Sequence, residues 1–240
     1  MTREKAAEAK AGAKSVEKKV ESDNTSTGEA FYWKRSTPLP CKPGYKAEGK
    51  VCLASTPPAG YVDCGAGFAS STKKCAEVIG GQVFALGNFA VTKFPFGGPA
   101  ASAAEEAEKA AKADPAKVKE GDEAMKDLYP FLKEIPGVLD DLKKEGKAAK
   151  NEKEVAEVLK NAAPDVETAW KKFLTPAKVK ELMKYAGKGK TGAGIQSSAD
   201  KGQFSDLEIL RDTASVVSLV DATNTASVLA SMMYPRYPAQ

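Results

Sequence analysis

Four cysteines lie close together near the start of this chain, and the 240-residue sequence contains no others. Ten, eleven and ten residues separate successive members of the set, which comprises Cys41, Cys52, Cys64 and Cys75. Proline and glycine turn signals lie between them, so residues 31–76 are predicted to form a small, loop-rich module stapled by two disulfides. Four cysteines allow three pairings, and the even spacing does not choose among them.

Free thiols and a zinc site with four cysteine ligands are the alternatives to disulfides. Zinc ribbons and fingers usually present their ligands as closely spaced C-x(2–4)-C pairs. The sequence contains no such pair. Two disulfides are therefore the favoured interpretation of the four cysteines.

Residues 41–75 resemble the small cysteine-framework modules of secreted protist proteins. Two motifs carry the resemblance: Cys-Lys-Pro-Gly-Tyr at 41–45 and Gly-Tyr-Val-Asp-Cys-Gly at 60–65. The resemblance implies an extracellular or organelle-lumen location, where an oxidising environment maintains disulfides. It implies no catalytic activity.

Beyond the cysteines, the chain changes to segments with helical periodicity. Through residues 99–190, apolar side chains recur three and four positions apart, and Asp114–Pro115 and Thr175–Pro176 are typical helix starts. Pro130 is expected to bend or divide one of these helices. Helices this short need tertiary contacts to be stable. The predicted fold class is therefore mainly α, with a bundle of short helices preceded by the disulfide-stapled module.

Four further segments flank these two parts. Residues 1–30 have almost no large apolar side chains and are predicted to be a disordered or weakly helical tail. Residues 77–98 are predicted to be a buried apolar helix and linker, and residues 191–204 a flexible loop. Residues 205–240 carry few charges and are predicted to form a C-terminal helix that packs on the bundle or on a partner.

Histidine is absent from the chain, which excludes several classes of functional site. Histidine-dependent catalytic triads and histidine-ligated zinc, copper and non-haem iron centres all need that side chain. Residues 187–191 end like a phosphate-binding loop, but Lys184 occupies the position of the first glycine of that motif. No catalytic, cofactor-binding or metal-binding residue is therefore assigned, and the chain is predicted not to be an enzyme.

The net charge of +4 is contributed mainly by lysine, because arginine is scarce. Specific recognition of bases and phosphates favours the planar guanidinium group of arginine. A nucleic-acid partner is therefore not predicted.

The remaining features favour a non-catalytic structural or interaction protein, a luminal or extracellular subunit that docks on a larger assembly. The aromatic triplet 31–33 either packs against the body of the protein or contributes to a partner surface, and the low-charge C-terminal helix resembles an obligate interface. A protein partner or self-assembly is expected. The residues predicted to bind the partner are Phe31, Tyr32, Trp33, Val217, Val220, Leu229, Met232 and Met233.

The alternative hypothesis is a membrane-active, toxin-like protein. In this hypothesis, segments 77–96 and 213–233 are concealed amphiphilic helices that bind a membrane surface.

Overall fold

The fold is described from a computed structural model, for residues 30–48, 50–91, 95–96, 98–112, 114–188 and 205–237. The predicted flexible loop 191–204 and all of the predicted tail except Ala30 lie outside these residues. Within the described part, short strands come first, α-helices follow, and one more short strand comes after the helices.

The strands form two small sheets. The first has the order β5-β6-β1-β7, in which β7 runs parallel to β1 and the other pairs are antiparallel. The second is antiparallel and has the order β2-β4-β3. The bounds are β1 Phe31–Lys34, β2 Ser36–Pro38, β3 Tyr45–Glu48, β4 Val51–Ala54, β5 Val62–Asp63, β6 Gly67–Ala69 and β7 Arg236–Tyr237.

The helical part contains eight α-helices among the described residues, and this confirms the predicted fold class. A short 3-10 helix at Met183–Tyr185 follows the sixth helix. The bounds are α1 Thr72–Ala90, α2 Gly98–Lys112, α3 Pro115–Leu132, α4 Pro136–Ala148, α5 Glu152–Phe173, α6 Pro176–Leu182, α7 Asp206–Val217 and α8 Thr225–Met232.

Side-chain caps explain where many of the helices begin. An N-cap side chain accepts a hydrogen bond from a backbone N–H of the first turn, which typically stabilises a helix by about 1 kcal/mol. The predicted starts at Asp114–Pro115 and Thr175–Pro176 are confirmed. Pro130 lies in the last turn of α3, so it does not divide the helix, which ends two residues later. The capping residues are Ser71, Asp114, Asn151, Thr175 and Ser205.

Both predicted disulfides are present, and each joins cysteines that are neighbours in sequence. Cys41, in the loop after β2, pairs with Cys52 of β4, and Cys64 pairs with Cys75. Cys75 lies in the first turn of α1, so the second disulfide ties the first sheet to the helical part. The helix predicted within residues 77–98 begins earlier than expected, at Thr72, because Ser71 caps it, and it ends at Ala90.

One hydrophobic core joins the first sheet to the helices. Phe31 and Trp33 of β1 are fully buried in the same cluster as apolar side chains of α1, α3, α5, α7 and α8. The indole Nε1 of Trp33 donates a hydrogen bond to the carbonyl oxygen of Met232 at 2.8 Å. The disulfide-containing module is therefore packed against the helices through β1.

The C-terminal segment was predicted to be one helix, but its described residues 205–237 form two helices and a strand. The Asp221 carboxylate makes the break, because it accepts hydrogen bonds from the backbone N–H groups of Thr223 and Ala226 at 2.9 and 2.8 Å. Asn224 then adopts a left-handed conformation, with φ of 58°, immediately before α8. Among the described residues, no helix combines the length and apolar character needed to cross a lipid bilayer.

Removing the disulfide between Cys64 and Cys75 is expected to lower the free energy of unfolding by about 3 kcal/mol. The bond spans a sequence separation of 11 residues, and its loss frees that loop in the unfolded chain. Urea unfolding of the Cys64→Ser/Cys75→Ser variant, followed by circular dichroism, measures the change. The Cys41→Ser/Cys52→Ser variant is the control of equal loop length. A loss below about 1 kcal/mol in the first variant would contradict this expectation.

Candidate binding sites

The side chains predicted to bind a partner lie in the core instead of on the surface. Phe31, Trp33 and the residues Val217, Leu229, Met232 and Met233 are fully buried, and Tyr32 is 6% exposed. Alternation along β1 directs Phe31 and Trp33 toward the helices, while Tyr32 packs against Tyr61 and Tyr237. Val220 is half-buried and lies close to Gly121 of α3. These residues contribute to the folded core, and apart from half-buried Val220 their side chains are not exposed to a partner.

Exposed apolar side chains cluster at one end of the second sheet. Leu39 is 53% exposed and Val51 is 40% exposed. Pro38 pairs with Val51 in the antiparallel register of β2 and β4, and Pro40 is also exposed. We call these four residues the tip patch. The disulfide between Cys41 and Cys52, the residues that follow Pro40 and Val51, restrains the patch.

The exposed charges of the second sheet and its loops are mainly lysines. Lys42, Lys46 and Lys50 are exposed, and none of them forms an ion pair with another described residue. Glu48 of the same sheet is already paired, because it accepts a hydrogen bond from Lys153 of α5 at 2.8 Å. The tip patch therefore lies in positively charged surroundings.

A polar face of α5 meets the strands at three positions that are seven residues, or about two helical turns, apart. Lys153 pairs with Glu48 at one end, and Glu167 pairs with Arg236 at the other, with nitrogen–oxygen distances of 2.8 and 3.1 Å. Lys160 lies between these pairs and is only 5% exposed. Within the part of the chain that the structure describes, Lys160 forms no ion pair.

The surroundings of Lys160 favour its neutral form. Burial lowers the pKa of Lys160 from 10.5 to about 8. The charge of Glu157 opposes this change, the positive charges of Lys34 and Arg236 add to it, and Glu48 opposes it slightly. Lys160 is therefore a largely buried side chain whose ammonium group loses its proton more readily than that of an ordinary lysine.

A second set of titratable side chains joins α3 to the 3-10 helix. The hydroxyl of Tyr185 donates to Asp127 at 2.8 Å, and Lys184 lies at the same distance from that carboxylate oxygen. Burial alone would raise the pKa of Asp127, but hydrogen bonds from Lys184 and Tyr185 hold it below its usual value. Burial and the bond to Asp127 raise the pKa of Tyr185 to about 12. All three side chains of this cluster are paired, and they link α3 to the 3-10 helix.

A cleft with a volume of about 310 Å³ lies between α5, the start of α7 and the residues around β7. Small-molecule sites begin at roughly this size, about 300 Å³. The ion pair between Glu167 and Arg236 forms part of the wall, and the indole Nε1 of Trp170 donates to the carbonyl oxygen of Asp206. The lining residues are Glu167, Trp170, Lys171, Ser205, Asp206, Leu207, Pro235 and Arg236.

Neither a metal centre nor a relative identifies the function. Among the described residues, no three cysteine, aspartate or glutamate side chains are grouped closely enough to hold a metal ion. Comparison of the chain with family models, with curated proteins and with solved structures finds no match in any of the three.

The sequence contains weak signals for the tip patch and for the polar face of α5, neither of which was predicted. The run Pro38-Leu39-Pro40 places a large apolar side chain in a turn-rich region, where its exposure is a reasonable expectation. The seven-residue spacing of Lys153, Lys160 and Glu167 places them on one helix face. The sequence alone does not show that strands cover this face.

Proposed function

We propose that the protein is a non-catalytic subunit of an extracellular or luminal assembly, and that it docks on this assembly through the tip patch. The observation that supports the proposal is the joint exposure of Leu39 and Val51, at 53% and 40%, on a disulfide-restrained sheet. Exposed apolar clusters on a rigid support are typical of protein–protein interfaces. Restraint by the disulfide limits the ordering cost on binding.

The charges beside the patch indicate the chemistry of the partner. Lys42, Lys46 and Lys50 are exposed and have no ion-pair partner among the described residues. A partner surface with an apolar pocket and an acidic rim complements them. A second copy of this chain fits poorly, because a two-fold contact would bring the same lysines against each other.

Two disulfides support a location in an oxidising compartment. All four cysteines are paired, and none is free. Such bonds persist in extracellular and luminal proteins and are rare in the reducing cytosol. The resemblance of residues 41–75 to the modules of secreted protist proteins points to the same setting.

The membrane-active alternative requires segments 77–96 and 213–233 to leave the body of the protein. These segments fall largely in α1, α7 and α8, whose apolar side chains form much of the buried core. Their release would expose this core to water, at a cost comparable to the stability of the whole fold. Docking through the exposed tip patch requires no such opening, so we favour it.

Acidic side chains in the tip patch are expected to abolish docking. In the Leu39→Glu/Val51→Glu variant, two buried carboxylates would replace apolar contacts and oppose the acidic rim, weakening binding at least about tenfold. Fluorophore-labelled wild-type protein, added to a native extract of the source organism, is expected to elute in a high-mass complex during size-exclusion chromatography. The variant is expected to elute as free protein.

Tyr129→Glu is the matched control, because Tyr129 is 52% exposed but lies on α3. This variant is expected to elute with the complex, as the wild type does. Circular dichroism should show that all three proteins are folded. Equal elution of the tip-patch variant and the wild type would overturn the proposal.

A further inference from the structure

The two disulfides close loops of equal length but lie in different surroundings. Each joins cysteines with a sequence separation of 11 residues. Cys52 lies in β4 and is fully buried, whereas Cys41, Cys64 and Cys75 are half-buried. The first bond therefore joins a half-buried cysteine to the interior of a sheet, and the second joins one to the start of a helix.

Cys75 occupies a position that stabilises a thiolate. Its backbone N–H donates to the carbonyl oxygen of Ser71, the N-cap of α1, at 2.9 Å, so Cys75 lies in the first turn. The Cα–Cβ bond of a helical residue tilts toward the N-terminus, where the helix dipole is positive. No acidic side chain lies in this turn. A helix N-terminus favours the thiolate form of a cysteine, whereas full burial, as at Cys52, disfavours it.

This difference affects how readily a small thiol reduces each bond. In thiol–disulfide exchange a thiolate attacks one sulfur, and the other sulfur leaves as a thiolate. The more stable the leaving thiolate, the faster the exchange. Attack at Cys64 releases Cys75 at the helix N-terminus, whereas attack at Cys41 releases Cys52 inside β4. The fold therefore favours reduction of the second bond.

We propose that the bond between Cys64 and Cys75 is a redox-sensitive switch, which a small thiol of the glutathione class opens while the bond between Cys41 and Cys52 stays closed. The first thiolate attacks Sγ of Cys64, the S–S bond breaks, and Cys75 leaves as a thiolate. A second thiolate attacks the thiol-derived sulfur of the mixed disulfide and releases the thiolate of Cys64. Two small thiols are thus oxidised to one disulfide, and their two electrons reduce the protein disulfide to two thiols.

Opening this bond removes the covalent tie between the first sheet and α1. The strand before Cys64, β5, has only two residues and lies at the edge of its sheet, so few contacts retain it. In contrast, Phe31 and Trp33 anchor β1 in the core that it shares with the helices. The switch therefore loosens β5 and the turn after it while the core persists. The other disulfide restrains the tip patch, so this proposal does not rest on the docking proposal.

Timed reduction of the folded wild-type protein tests the proposal. The protein is incubated with reduced glutathione at neutral pH without denaturant, and samples are quenched with N-ethylmaleimide and digested with trypsin. Cys41 and Cys75 lie in different tryptic peptides, so mass spectrometry follows the release of each peptide from its disulfide separately. The Cys75 peptide is expected to be released at least about tenfold faster than the Cys41 peptide.

The same reduction in concentrated urea is the matched control. The loops are of equal length, so the two bonds are expected to be reduced at similar rates once β4 and α1 are unfolded. A rate difference that persisted in urea would contradict the role of the fold. Equal rates in the folded protein, or faster release of the Cys41 peptide, would rule out the switch.

Hydrogen exchange measures the structural effect of the reduction. After selective reduction, backbone amides of residues 62–66 are expected to exchange faster, whereas those of β1 are expected to stay protected. Unchanged exchange at residues 62–66 would show that the bond does not control this segment, and the proposal would then be wrong.

Discussion

An alanine at position 67 is expected to destabilise the protein by about 3 kcal/mol or more. A Cβ atom at Gly67 would lie 2.3 Å from Cζ of Phe31 and 2.6 Å from the carbonyl oxygen of Tyr32. Gly67 pairs with Trp33 in the register of β1 and β6, and Phe31 is fully buried. Neither the backbone of β1 nor the packed ring can move away without disturbing the contact between the first sheet and the helices.

Gly81→Ala is the matched control, since a Cβ at Gly81 in α1 would meet no atom within 4 Å. Alanine is a better helix former than glycine, so this variant is expected to gain about 0.5–1 kcal/mol. Urea unfolding monitored by tryptophan fluorescence measures both changes. If the two variants had the same stability, the close packing of β6 against β1 would not be essential to the fold.

Replacing Lys160 with methionine is expected to stabilise the protein at neutral pH by up to about 3 kcal/mol. Methionine has a similar length but carries no charge, so it removes the cost of a desolvated ammonium group. This cost corresponds to the drop in the pKa of Lys160 from 10.5 to about 8 on folding. In most buried lysines an ion pair offsets the cost of burying the charge. Lys160 forms no ion pair with another described residue.

The pH dependence of stability provides the sharper test of the same side chain. Well below pH 8, Lys160 is protonated in both states, and the folded state carries the full cost. Between pH 8 and 10.5 the unfolded chain binds more protons than the folded protein, so the contribution of Lys160 to stability rises with pH. Urea unfolding of the wild type and of Lys160→Met across this range is expected to show a stability difference that shrinks toward zero. A difference that stays constant with pH would contradict the lowered pKa.

Local signals in the sequence were sufficient for much of the fold. The helix starts at Asp114–Pro115 and Thr175–Pro176 depend on a cap side chain and a proline within the first turn. The two disulfides followed from the number of cysteines and their turn-rich setting, but their pairing did not. Pairing depends on which strands lie side by side, and this is a non-local property.

The candidate sites were less predictable, because exposure and burial are decided by distant parts of the chain. The low charge of segment 213–233 correctly suggested a buried element, but only the tertiary structure shows Asp221 turning the chain back between α7 and α8. The aromatic triplet 31–33 has the composition of a partner surface, but it is buried: Phe31 and Trp33 pack against Tyr234, and Trp33 donates a hydrogen bond to the carbonyl oxygen of Met232.

The sequence by itself therefore determined the fold class, the helix starts at Pro115 and Pro176, the two disulfides and the absence of histidine chemistry. Each of these depends on residue identity or on contacts within a few positions of the chain. Only the tertiary structure decided the disulfide pairing, the exposure of Leu39 and Val51, and the burial of Lys160. These depend on which surfaces are brought together by long-range packing, because the same lysine keeps its ordinary pKa when water covers it and has a lowered pKa when it is buried.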